Sequence, residues 1–417
     1  MSKNENVLPL SPIPEVNDML TETIRQGAER LLSTAIEAEV VERLSRYEHI
    51  RDAEGHRQVV RNGYLPSRSI QTGIGAIPIK APRIRNNSDE EVSLHSVLLP
   101  PYLKRTKSME ELVPWLYLKG ISTGDMNSAL KALLGEHAKG LSAKNIGHLT
   151  AAWQQEYEQW ERRDLSKLRI VYVWADGVYL KARMDNKQCL LVLIGADDLG
   201  KKHVLAISSG ERESTLSWKE LLLDLKGRGL NIDFKLGVGD GAMGFWSALC
   251  EVCPGTKQQR CWVHKTMNIL NKLPKLLHSK AKDCLHNIWM APRREDAEKS
   301  FDEFVAVYSD KYPKATACLS KDRDALLCFY DFPAQHWHHI RTSNPIESMF
   351  ATIKLRTAKT RGCLSRKTGL AMVFKLAMAA ETKWPKLRGS ALVADVIRGV
   401  KFKDGEKKNQ ENLVCAA

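Results

Sequence analysis

The chain has no apolar run near the ~18–20 residues that a membrane span requires, so none of its 417 residues is expected to cross a bilayer. Its first residues, Met1-Ser-Lys-Asn-Glu-Asn6, are polar and lack a signal-peptide pattern, which points to a cytoplasmic protein. The nine cysteines are odd in number and scattered; they do not make a disulfide framework and read as reduced thiols. No internal repeat is evident. Acids are short by comparison with bases, 49 Asp and Glu against 63 Lys and Arg, for a net charge of +14. That surplus suits a polyanion held through phosphate contacts and counterion release. Charge alone would equally suit a basic enzyme with no nucleic acid. What is present is 43% hydrophobic residues, enough for two or three domains with real cores.

Periodicity divides the chain into six stretches. In 1–100, residues 14–50 read as one amphipathic helix with Leu20, Ile24, Leu31, Ala35 and Val40 on its apolar stripe. A Gly- and Pro-rich β-like segment follows, made basic by Arg61, Arg68, Lys80, Arg83 and Arg85, with a linker at 86–91. In 101–165, Ser122 and Ser142 start two helices that form either a helix-turn-helix DNA reader or an ordinary helical hairpin packed on the next domain. In 166–264 strands are expected at 168–175, 178–184 and 188–194, with turns at Gly177 and Asp185-Asn186, and 203–207 as a further strand or an extension of the third. Ser214 then caps a helix to about Lys226, carrying Leu216, Leu221, Leu222 and Leu225. A strand at 234–239, a helix from 242 and a strand at 257–263 complete this part. Residues 265–340 read as a helical insertion, 341–400 as two closing helices, and 401–417 as a disordered tail. This order describes an α/β fold: a ribonuclease-H-like mixed sheet with an all-helical insertion before the last catalytic helix, preceded by a mainly helical DNA-binding region.

Asp176 follows the buried run Leu168–Ala175, and Asp240 follows a second, Phe234–Gly239, each backed by glycine. Two acids delivered from strand ends are how a sheet builds a site for a hard cation such as Mg²⁺, which takes oxygen ligands. Two such ions ~3.5–4 Å apart promote in-line phosphoryl displacement. A third carboxylate is needed, and the best candidate is Glu347, near the start of a helix whose first turn holds Pro345.

Several further stretches carry a resemblance over nearly the whole chain. They are Arg61-Asn-Gly-Tyr64, Trp174-Ala-Asp-Gly-Val-Tyr179, Gly239-Asp-Gly-Ala242, Gln259-Arg-Cys-Trp-Val-His-Lys265, Phe332-Pro-Ala-Gln-His-Trp337 and Ile340-Arg-Thr-Ser-Asn-Pro-Ile-Glu347, with Trp384 closing the domain. The chain resembles a bacterial insertion-sequence transposase of the mutator type, a family with an Asp-Asp-Glu active site. The resemblance implies that Asp176, Asp240 and Glu347 are the catalytic and metal-binding acids. It also implies Mg²⁺ with Mn²⁺ as substitute, double-stranded DNA as partner (terminal inverted repeats and target), a homodimer or higher multimer on DNA, and a bacterial, nucleoid-associated location. Ser348 stands where the family has Arg after the Glu.

Cys261 and His264 match the family's Cys-x-x-His motif and, with Asn344, are taken as supporting residues: His264 near the acids, Cys261 in packing. Cys250, Cys253, Cys261 and His264 together offer a zinc-like spacing, but a continuing strand over 257–263 would put Cys261 and His264 on opposite faces. Seven Lys or Arg and no acid lie between Val252 and Lys282, and thirteen basic residues lie between Ala351 and Lys403. Phosphate contacts are therefore assigned to Arg260, Lys265, Arg341, Lys354, Arg356 and Arg361, and upstream to Arg61, Arg83, Arg85, Lys131 and Lys144. Trp337 either stacks on a base or packs inside. The rival readings are a plain nuclease of the same fold and a non-catalytic, zinc-holding DNA-binding protein.

Overall fold

The computed structural model describes residues 19–89, 96–118, 121, 125–134, 143–181, 187–210, 212–241, 244–359 and 366–408. The chain divides into two compact units, one reaching to Ile146 apart from 118–120, the other running from Gly147 onward.

The first unit comprises helix α1 (Met19–Arg46), strands β1 (Val59–Tyr64), β2 (Arg68–Thr72), β3 (Gly75–Ile79) and β4 (Pro82–Asn86), then α2 (Lys107–Leu118) and α3 (Met126–Leu134). β1 pairs with β4 and β2 with β3, both antiparallel. Of the expected stripe of α1 only Val40 is buried. Ala28, Leu32, Ile36 and Val40 meet the isoleucines of β2, β3 and β4, whereas Leu20, Ile24 and Leu31 are exposed. A helix with apolar residues on two faces offers periodicity two solutions, and the strands select one.

The second unit takes up α4 (Ala143–Glu161) from Gly147 onward. Its Trp153 and Tyr157 are buried, and the Tyr157 hydroxyl donates to Ile207 O at 2.8 Å. That face of α4 is occupied by packing in its own unit. The two helices read as a helix-turn-helix pair therefore fall in different units, and residues 135–142 between them lie outside the described set.

The sheet is built from β5 (Ile170–Lys181), β6 (Lys187–Asp197), β7 (Lys202–Gly210), β8 (Leu236–Gly239) and β9 (Lys257–Arg260). Its order is β7-β6-β5-β8-β9, with β5, β6 and β7 antiparallel and β8 and β9 parallel to β5. One expected turn does not exist. Residues 168–175 and 178–184 are not two strands around Gly177, because β5 runs straight through it, with Asp176 opposite Val192 and Gly177 opposite Leu191. β6 supplies a ladder partner for the whole length, and a glycine inside a paired strand marks close approach by another group rather than a bend. The 203–207 segment is a strand of its own, so the three-strand meander survives with different members.

Helices α5 (Thr215–Gly227) and α6 (Phe245–Val252) cover one face of the sheet. Trp218, Leu221, Leu222, Leu225, Phe245 and Leu249 pack there against Val173, Ala175, Leu191 and Leu193. The helical insertion runs α7 (Trp262–Leu270), α8 (His278–Met290), α9 (Arg294–Tyr308), α10 (Pro313–Ser320), α11 (Arg323–Leu327) and α12 (Trp337–Ile340). Then α13 (Asn344–Lys359) packs on β5, α14 (Arg366–Glu381) packs on β7, and α15 (Val393–Ile397) follows. On β5, Tyr172 and Trp174 point to the opposite face from Val173: the Tyr172 hydroxyl lies 2.8 Å from His336 Nδ1, and the Trp174 indole donates to His339 O at 3.0 Å.

The tail from Lys401 is structured as far as Lys408. β10 (Phe402–Lys403) and β11 (Glu406–Lys407) form a hairpin around Asp404 and Gly405, both at positive φ. Phe402 is buried and Asp404 accepts from Arg294 N at 2.8 Å, so one apolar anchor and one carboxylate hold a segment whose composition read as disordered.

The two-faced packing of α5 makes a stability prediction. Leu222→Ala, at a fully buried position, should lower unfolding free energy by ~2–5 kcal/mol. Leu216→Ala, at a residue 65% exposed on the same helix, should change it by less than ~0.5 kcal/mol. Urea denaturation of both variants checks this, and similar losses would mean that the helix is rotated.

Candidate active site

Alternation along β5 puts Asp176 on the same face as Tyr172 and Trp174, the side on which α13 packs. Asp176 is 8% exposed and accepts from Gly177 N at 2.8 Å. The β5–β8 ladder stops at Trp174, so next to Asp176 the strand has β6 on one edge and the end of β8 on the other. Asp240 leaves that end, accepting from Gly241 N at 2.5 Å, while its own carbonyl is held by the Trp246 indole at 2.6 Å.

Glu347 lies in the first turn of α13. Its backbone N–H bonds to Ser343 O at 3.1 Å, and its Oε1 accepts from the Ser343 hydroxyl at 2.8 Å. Cys261 and His264 share this corner. β9 ends at Arg260 rather than continuing to 263, and Cys261 is the N-cap of α7, so His264 sits one helical turn on and both face Glu347. The Cys261 thiol is 3.7 Å and His264 Nδ1 3.7 Å from Glu347 Oε1. Cys261 is thus more than packing. Its Sγ also accepts from Ser343 N at 3.3 Å, and its backbone N–H donates to Gly239 O at 2.9 Å beside Asp240.

A fourth carboxylate, Glu213, reaches the same region from the loop before α5. A Cβ added to Gly177 would lie 2.3 Å from Glu213 Oε1, so the bare glycine is what lets this acid approach β5. Tyr179 hydrogen-bonds to its carboxylate, and Gly244 N holds its carbonyl at 3.0 Å. Neither Glu213 nor Ser343 was singled out from sequence. The available signals were a glycine inside a β-branched run for the first, and a serine four residues before an acid at a helix start for the second.

Burial pushes the Asp176 carboxyl up to about 7; nearby His264 works against that rise, while Glu213 and Glu347 add to it. His264 is raised to about 9, first by its hydrogen bond to Cys261 and then by the charges of Cys261, Asp176 and Asp240. It therefore carries a proton at neutral pH and faces the acids as a cation. A desolvated carboxylate such as Asp176, raised further by neighbouring acids, suits a hard divalent ion. Among the described residues, the groups whose ligand atoms lie within 4.8 Å of one another are Cys261–His264–Glu347 and Asp52–Glu54–His56. Asp176 and Asp240 fall outside both groups, and each acts on His264 of the first group through its charge. The four-residue zinc set is not assembled: Cys253 is buried in the sheet–helix core, and Cys250 is exposed and accepts from Gln258.

Several residues assigned to DNA are engaged elsewhere. Lys265 is 3% exposed, ion-paired with Asp322 and bonded to Cys318 O. Arg260 lies over the Trp246 ring at 3.8 Å, beside Asp322. The inward-facing start of α7 carries Lys265 into the interior, and Arg260, at the end of β9, is half-buried beside the same Asp322. The Trp337 indole donates to Phe332 O and its ring packs on Phe329 and Tyr330, which accounts for it by packing. Arg61 pairs with Glu37 at 2.8 Å. Arg83, Arg85, Lys131, Lys354 and Asn344 are exposed, and Arg341 is half-buried over Trp289. The side chains of Lys144 and Arg356, and all of Arg361, lie outside the described residues.

A family model described as Transposase, Mutator family, matches residues 5–386. The chain is 51% identical over 285 residues to the transposase for insertion sequence element IST2 of Acidithiobacillus ferrooxidans, covering 68% of this chain and 96% of that one. It is 48% identical over 298 residues to the transposase for insertion sequence element IS6120 of Mycolicibacterium smegmatis, 71% of this chain and 92% of that one. Over a longer span, 393 residues, it is 26% identical to the transposase for insertion sequence element ISRM5 of Rhizobium meliloti, 92% and 94% of the two chains.

The raised Asp176 carboxyl has a signed consequence for metal-free protein. Between the ordinary value of 3.8 and about 7, the folded state holds a proton that the unfolded state has lost, so stability falls as pH rises through that window. Asp176→Asn removes the penalty. The variant should melt above wild type at pH 8, by up to about 4 kcal/mol, and converge with it near pH 4. Equal melting at both pH values would mean that Asp176 is not desolvated.

Proposed function

The chain belongs to the Mutator family of transposases, and on that footing we propose that it moves its insertion sequence by metal-dependent DNA cleavage and strand transfer at Asp176, Asp240 and Glu347. What supports this is that β5, which carries Asp176, pairs with β8, which Asp240 follows, and that α13, which carries Glu347, packs on β5 with Glu347 in the electrostatic field of Asp176. The sheet order, with three antiparallel strands followed by two parallel ones, supports reading the core as ribonuclease-H-like. Oxygen donors of this kind fit Mg²⁺, with Mn²⁺ as substitute. A bound divalent pair would supply Lewis-acid activation of the attacking oxygen and charge stabilisation of the leaving one.

The protein's own part is to hold these oxygens in place. Ser343 fixes the Glu347 carboxylate by its hydroxyl and the start of α13 by its carbonyl. Cys261 ties the corner to the end of β8 through Gly239 O. His264, protonated, offsets the acids' mutual repulsion. In the first step water forms the new bond to phosphorus and the bond to the 3′ oxygen breaks, freeing a 3′-OH at the element's end. In the second, that 3′-OH attacks a target phosphodiester, displacing its 3′ oxygen. Neither step requires a covalent enzyme–DNA intermediate.

End recognition falls in this reading to the region before 160, where β4 alternates Pro82 and Ile84 inward with Arg83 and Arg85 outward, a cationic strand face suited to phosphate. Bringing two ends together requires a multimer.

The test is strand cleavage of a labelled duplex carrying the element's own end, in Mg²⁺. Asp176→Ala, Asp240→Ala and Glu347→Ala should each lose cleavage by at least ~100-fold, the scale of removing a group that acts in the transition state, yet still retard the DNA in a gel. Normal cutting by Glu347→Ala alone would place the third ligand elsewhere. Loss of DNA binding by Arg83→Glu with Arg85→Glu, with the core still folded, is expected from the division between reader and cutter.

A further inference from the structure

A cavity of about 390 Å³ opens between α7, α8 and the turn into α13. It adjoins the acids: Val263, on its wall, precedes His264, and Asn344 begins the helix that carries Glu347. Its interior is apolar and aromatic, with Trp289 half-buried and Met267 53% exposed at the opening. No carboxylate lines it, whereas Lys282 and Arg341 do, and the Arg341 guanidinium lies 4.5 Å from the centre of the Trp289 ring.

The volume lies at the low end of the ~300–1,000 Å³ of small-molecule sites, too small for a helix of DNA. A flat ring that stacks on indole and trails a phosphate matches all of these features; an acidic or purely apolar ligand matches only some. We propose that this cavity takes one unstacked nucleobase of the DNA strand held at the acids, with Lys282 and Arg341 on its flanking phosphates. The inference rests on the DNA-cleaving reading of Asp176, Asp240 and Glu347. Taking a base out of the stack here would fix the strand's register beside the scissile bond.

The test uses the full-length protein and the element's end with 2-aminopurine placed in turn at each position around the cut, in metal-free buffer so that the DNA stays whole. One position should brighten severalfold on binding wild type and Trp289→Phe, and stay dark with Trp289→Ala and with Met267→Glu, which puts a carboxylate into the acid-free opening. Trp289→Ala should also weaken binding of the end about tenfold, within the range for loss of one base–aromatic stack. Met267 is exposed, so its variant carries the test even if Trp289→Ala fails to fold. The inference is overturned if no position brightens with wild type, or if the same position brightens equally with Met267→Glu. Cleavage of unmodified DNA by wild type in Mg²⁺ is scored separately. Cutting without brightening removes this inference alone, and failure to cut removes the reading beneath it.

Discussion

Asp176 imposes the constraint on which the core is organised: a carboxylate desolvated in the middle of a paired strand, with two further acids in its electrostatic field. Burial of an unpaired charge is unfavourable, and neighbouring like charges make it worse. Packing elsewhere must offset that. The two-sided sheet does so, with Trp218, Leu222 and Phe245 filling one face and Tyr172 and Trp174 anchored to the helical side of the other. On the proposed reading, a divalent cation entering here would relieve that repulsion.

The second requirement is to bring Glu347 to the sheet across the helical insertion. Backbone hydrogen bonds do this in two steps: Cys261 N to Gly239 O joins α7 to the end of β8, and Trp262 N to Arg341 O joins it to the turn before α13. The insertion therefore enters and leaves at nearly one point. Two of its charges, Lys265 and Asp322, turn inward and pair with each other, so they stabilise the insertion rather than meet a partner. A basic run in sequence is thus a poor guide to a basic surface when a helix begins inside it.

Cys261, His264 and Ser343 form a polar corner around Glu347 that has two physical consequences. Hydrogen bonds from Ser343 and Cys261 limit the carboxylate's rotamers, and the protonated imidazole balances charge before any ion arrives. Thiol and carboxylate there, joined by the imidazole once it loses its proton, are also a softer donor set than the acids alone. The sheet acids, which offer only oxygen, keep the hard-ion character of the region.

Sequence by itself determined a good deal here. Buried runs ending in Asp176 and Asp240, a helix start before Glu347, the order of the core elements and the matching motifs were all legible, because β-branched alternation, caps and glycines act locally. Tertiary structure decided the rest. Gly177 read as a turn until β6 supplied a partner along the whole of β5, and only then did its missing side chain become the space that Glu213 fills. The stripe of α1 was ambiguous until the isoleucines of β2 and β3 chose a face. Cys261 and His264 moved from opposite faces to one because the chain changed from strand to helix between them. Local chemistry sets which residues can serve. Which of them meet depends on pairing and packing between segments far apart in the chain, and no local pattern encodes that.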